Sequence, residues 1–153
     1  MKCPIAKLRC FERFDKGKVL LSMPPDTIYC EIMSNQVIPV LRIFDEAKAR
    51  EFYIDWLGFT VDWEHRYEEN MPLFMQVKRA EVILWLSEHH GDACPGAKIF
   101  IECPDIETYH RELLDKEYKY GRPGLETEEW GARTVTVHDP FGNRLAFFER
   151  TQS

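Results

Sequence analysis

The chain has 153 residues, of which 44% are hydrophobic and 13% aromatic, with 8 Gly and 9 Pro; that is one domain able to bury a core, not a disordered or fibrous composition. Lys and Arg number 20 against 26 Asp and Glu, a formal charge of −6, and residues 33–153 alone carry −8, which disfavours nucleic acid and favours cationic small molecules as partners. Five cysteines without CxxC spacing argue against a disulfide framework or zinc ribbon. The lack of a signal-like leader or a run of about 18 apolar residues then points to a cytoplasmic protein with no membrane partner.

Residues 1–32 hold six basic and four acidic residues, three of the five cysteines and a Pro24-Pro25 break. They show no sustained period and read as an N-terminal extension, with Met33 a candidate native start and the domain proper over 33–153. Val37–Ile43 is apolar and β-branched and reads as a strand. Asp45 stands as the N-cap of a helix over 46–57, in which Ala49, Phe52, Tyr53, Trp56 and Leu57 make one apolar face and Gly58 ends the run. Phe59–His65, Leu73–Val77 and Val82–Ser87 follow as strands, the last two joined by the turn Lys78-Arg79-Ala80-Glu81.

After a loop over 89–96 the same order returns. Lys98–Glu102 is a strand, and Pro104-Asp105 opens a helix carrying Ile106, Tyr109, Leu113 and Leu114 on one face and ending near Glu117. Tyr118–Tyr120 reads as a short strand. Arg133–His138 and Arg144–Glu149 form a hairpin about the turn 139–143. The expectation is an α+β domain of two βαβββ modules, module one about 37–88 and module two about 97–150, without shared residue identity between them.

The segments Ile38-Pro39-Val40-Leu41, Glu51 to Phe59, Glu129-Trp130-Gly131-Ala132-Arg133 and Asp139-Pro140-Phe141-Gly142-Asn143, in this order and spacing, resemble the glyoxalase, bleomycin-resistance and extradiol-dioxygenase superfamily. The bleomycin-resistance branch is the nearest. The resemblance covers roughly residues 37–150 and implies the vicinal oxygen chelate fold, a cupped mixed sheet, usually paired as a homodimer. Metal-dependent members of the superfamily hold a divalent ion at four equivalent strand positions, which project here onto Ile38, approximately Trp85, approximately Ala97 and Ala146. None of these ligates a metal, so the expectation is no cofactor and no catalytic residue.

What the resemblance implies is a binding protein that sequesters a cationic, bleomycin-like glycopeptide or similar small molecule in a metal-free dimer cleft. Trp130 matches the family's stacking Trp, with Glu126, Glu128 and Glu129 around it. Tyr67 and Trp63 are candidates for the opposing aromatic surface, and Glu128 and Glu129 would attract positive charge. Trp56 and Trp85 read as packing residues. The histidines, including the adjacent His89 and His90 near Asp92 and Cys94, read as surface or structural. The rival reading is a glyoxalase-like lyase or dioxygenase with an atypical metal site, which requires at least three convergent ligands.

Overall fold

A computed structural model describes residues 36–151, together with the backbone of two antiparallel two-residue strands, Phe14–Asp15 and Lys18–Val19. Apart from those four residues, the expected extension over 1–32, and with it the Met33 start, lies outside the described residues.

Module one begins with β1, Val40–Arg42. The expected strand from Val37 is shortened because Pro39 has no N–H to offer the ladder, although its carbonyl still accepts from Trp85 N at 3.0 Å. Asp45 caps the following helix as expected, its side chain accepting from Lys48 N at 2.9 Å. The helix is α-helical only over Glu46–Ala49 (α1) and then widens into a π-helical segment, Arg50–Trp56. The looser winding delivers Phe52, Tyr53 and Trp56 together into the core. Gly58 ends it at φ +77°. Strands β2 (Thr60–His65), β3 (Phe74–Arg79) and β4 (Val82–Ser87) complete the module. The sheet order is β1-β4-β3-β2, with β1 and β4 parallel.

Module two repeats this with β5 (Lys98–Glu102), α2 (Ile106–Asp115), β6 (Leu125–Glu128), β7 (Ala132–His138) and β8 (Arg144–Arg150). Its order is β5-β8-β7-β6, with β5 and β8 parallel. The two sheets share one topology, so the βαβββ repeat expected from sequence is present. One element differs: Tyr118–Tyr120 is not a strand, and Leu125–Glu128 supplies the missing one. The Tyr118 ring stacks on Trp56 at 4.5 Å instead of joining a ladder. The true strand escaped notice because three of its four residues are polar, a pattern that suits an edge strand.

The helix-facing sides of both sheets feed one core, built from Leu41, Phe52, Tyr53, Met75 and Leu86 of module one with Ile106, Leu113, Val135, Leu145 and Phe147 of module two. Buried polar contacts tie the modules together. Tyr53 donates to Asp139 at 2.7 Å, Trp56 Nε1 to Leu113 O at 3.0 Å and Tyr109 to Leu57 O at 3.0 Å. The Asp139-Pro140-Phe141-Gly142-Asn143 turn is the hub: Asp139 accepts from Phe141 N and Asn143 N, and Asn143 Nδ2 donates to Arg42 O at 2.9 Å. With one face of each sheet sealed in this way, the opposite faces are left to form the site.

Candidate functional site

Strand alternation decides which side chains reach the open faces. In module one, Leu84 and Leu86 point into the core, so Trp85 between them points outward, beside Gln76 and Phe74 of β3. A register shift between Val61 and Trp63 makes Asp62 the extra residue of a β-bulge and brings Trp63 opposite Gln76. The result is a packed platform. Trp63 stacks on Phe74 at 5.7 Å, and Trp85 meets both rings edge-on at 6.2 and 5.5 Å.

The platform's orientation is fixed from beneath by a polar chain. Trp85 Nε1 donates to Gln76 Oε1 at 2.7 Å, and Gln76 Nε2 donates to Asp62 at 2.5 Å. Trp85 is therefore a half-buried member of the open face, not the packing residue expected from sequence. The same alternation that hid Leu84 and Leu86 in the core exposes it. Tyr67 stands at the rim, 77% exposed, with edge contacts to His65 at 5.0 Å and His89 at 6.3 Å. Its neighbour Arg66 pins that loop by donating to Met71 O at 2.7 Å and pairing with Glu46 and Glu88.

In module two the open face carries Lys98, Phe100 and Glu102 on β5, and Arg144, Ala146, Phe148 and Arg150 on β8. Ala132, Thr134, Thr136 and His138 lie on β7, and Glu126 and Glu128 on β6. Trp130, 56% exposed, sits in the β6–β7 turn and meets Phe148 edge-on at 5.8 Å. Phe148 in turn meets Phe100 at 6.3 Å. Glu128 accepts from Thr134 Oγ1 at 2.9 Å, and Glu129 is exposed in the turn beside Trp130. Trp130, Glu128 and Glu129 are thus brought together, and so, separately, are Trp63 and Tyr67's neighbourhood. The two groups lie on different sheets, and no aromatic pair among the described residues links them. Phe74, Phe100 and Phe148, which with Trp85 build most of both surfaces, are not among the residues expected from the sequence; alternation within their strands is the signal.

The pairing register tests the metal positions. Val40 opposes Trp85 as Phe100 opposes Ala146, so the module-two equivalent of Ile38 is Lys98, not Ala97, which packs against the core. The four positions then carry Ile38, Trp85, Lys98 and Ala146. Three apolar side chains and an ammonium do not fit a divalent cation. In the 89–96 loop, Ser87 Oγ donates to Asp92 at 2.6 Å and His89 turns toward Tyr67 and Phe74. Among the described residues no three His, Cys, Asp or Glu side chains are grouped to hold a metal ion. His110 Nε2 donates to Pro123 O at 2.8 Å, a structural contact. Cys103, whose thiol is pushed up by burial, lines a cavity of about 290 Å³ with Arg79 and Tyr109. That cavity collects none of the predicted site residues.

A family model described as glyoxalase superfamily protein matches residues 24–153. The chain belongs to that superfamily. It is similar, at 28% identity over 134 residues, to bleomycin resistance proteins of Geobacillus stearothermophilus and Staphylococcus aureus, covering 77% of this chain and 98% of theirs. Among solved structures, a bleomycin-binding protein complexed with bleomycin superposes with TM-score 0.60 at 22% identity, over 76% of this chain and 99% of that one. A bleomycin resistance determinant encoded on a transposon gives TM-score 0.61 at 20% identity, over 78% and 100%. A superfamily member from Sphaerobacter thermophilus gives 0.57 at 23%, over 78% and 100%. These likenesses fix the vicinal oxygen chelate fold of this superfamily chain. No helix of the described residues is long and apolar enough to cross a membrane.

Proposed function

We propose that this superfamily member is a cytoplasmic binding protein that sequesters a planar, positively charged small molecule of the bleomycin type, lowering its free concentration without altering it. The observation that carries the reading is the replacement of the family's metal positions by Ile38, Trp85, Lys98 and Ala146, with exposed aromatic surfaces on both sheets instead of ligands. Rings such as Trp130 and Trp63 offer stacking worth about 0.5–1.5 kcal/mol beyond area burial. Glu126, Glu128 and Glu129 supply the negative field that draws a cation to Trp130. The likeness to bleomycin resistance proteins supports the ligand class.

Two copies of the chain, with module one of each beside module two of the other, would place the Trp63 platform opposite the Trp130 surface and close two equivalent clefts. Sedimentation should then report a mass twice that of the single chain. Isothermal titration of metal-stripped protein with bleomycin, accompanied by elemental analysis of the protein as purified, tests the binding reading. Tight binding at one ligand per chain is the expected result. No heat, together with stoichiometric bound metal, would transfer the case to a lyase or dioxygenase.

A further inference from the structure

We propose that Lys98 and Arg144, with His138 beside them, form a seat for an anionic group of the ligand, so that the molecule bound on the module-two face is dipolar and not purely cationic. The inference rests on the reading above that this face binds a small molecule.

Arg144 pairs with Lys98 on one side and with His138 on the other, so the three form a row across β5, β8 and β7 on the open face. All three are exposed. Among the described residues none of them has a carboxylate within ion-pair distance. By contrast Arg150, at the far end of the same strand, faces Glu102 at 3.7 Å, and Arg133 on the opposite face is held between Glu107 and Glu149. Like charges directly opposite one another on a sheet are destabilising, and this pair occurs in a chain whose net charge is −6. The fold does not require it, since the corresponding positions of module one are Ile38, Ile83 and Lys78.

The Nζ of Lys98 lies 4.7 Å from the centre of the Phe100 ring, so the cation borders an apolar surface that an aromatic body can cover. The acidic residues gather at the other end of the face, where Glu126 and Glu128 adjoin Trp130. From Arg144 to Phe148 is four residues of extended chain, about 13 Å. A ligand stacked near Trp130 with its positive end on the glutamates would therefore carry a carboxylate, sulfonate or phosphate roughly that far away, at the Lys98–Arg144 row.

The test is fluorescence titration of the full chain with two arenes, the anion 8-anilinonaphthalene-1-sulfonate and the uncharged N-phenyl-1-naphthylamine. The double variant Lys98→Gln/Arg144→Gln should bind the sulfonate about tenfold more weakly, the loss of a charge-assisted contact, while holding the neutral probe as before. Lys98→Gln alone should show a smaller loss in the same direction. Arg111→Gln, which removes an exposed cation on α2, on the helix-covered side of the sheet, should change neither. Equal sulfonate binding in wild type and the Lys98/Arg144 variants, or an equal loss in Arg111→Gln, overturns the seat and leaves the binding face standing. Failure of wild type to bind either arene overturns the binding face and the seat together.

Discussion

Trp130 is 56% exposed, and among the described residues the one aromatic ring it meets is that of Phe148, edge-on. Its removal therefore costs little packing: Trp130→Ala should change stability by under about 1 kcal/mol while weakening bleomycin binding, which paired thermal melts and titrations would show. A large fall in Tm would mark the ring as a core residue. Tyr53 is the opposite case, fully buried and bonded to Asp139. Burial, and then the Asp139 carboxylate, push its hydroxyl well above the usual range, and burial raises Tyr109 as well. An unfolded tyrosine loses its proton near pH 10, whereas these keep theirs in the folded state, so above that pH the unfolded chain binds fewer protons and stability falls with rising pH. Melting temperature should accordingly hold up to about pH 10 and decline beyond it. Tyr53→Phe should start about 1 kcal/mol less stable at pH 8.5 and decline more gently, and a parallel decline would show that Tyr53 does not contribute.

Among the elements, those with a strong period were legible and those shaped by distant contacts were not. Val82–Ser87 and Lys98–Glu102 match their expected bounds, because each is a short apolar run bounded by turn or charged residues. The period of two within such a strand places Trp85 on the open face; the expectation fails where a large aromatic is equated with burial. The π-helical winding of Arg50–Trp56 left no trace in the sequence, since α and π turns put the same cluster of apolar residues on one side. The strand expected over Tyr118–Tyr120 is absent because that segment's role is set by a residue some sixty positions away. Tyr118 stacks on Trp56, and Gly121 lies under the same indole, so that a Cβ at Gly121 would stand 2.7 Å from Trp56 Cη2. Trp56 is locked by its own hydrogen bond to Leu113 O and cannot retreat. Gly121→Ala should therefore destabilise the fold by about 1–3 kcal/mol through overpacking, measured by chemical denaturation. Gly124→Ala, where a Cβ meets nothing within 4 Å, is the control and should be near neutral.

At the scale of the whole molecule, the two modules have the same topology and different chemistry, and the difference is what the sequence conveyed least well. The resemblance located Trp130 and its glutamates, but the partition of the open faces emerges only from the pairing register. Module one presents a rigid platform of Trp63, Phe74 and Trp85. Module two sets small residues, the covered Ala146 and the half-buried Thr136, between an acidic and a basic end. A cation approaching from solution meets the net negative charge of the chain before any specific contact, and Glu128 and Glu129 concentrate that field beside Trp130. Reversing them, Glu128→Lys/Glu129→Lys, should slow association of bleomycin several-fold at low salt while leaving dissociation less affected, because steering acts on encounter. The difference should shrink as ionic strength rises toward about 0.15 M, where the screening length falls to about 8 Å. Stopped-flow association rates across a salt series provide the check. Rates equal to wild type at every salt concentration would show that these glutamates play no part in capture.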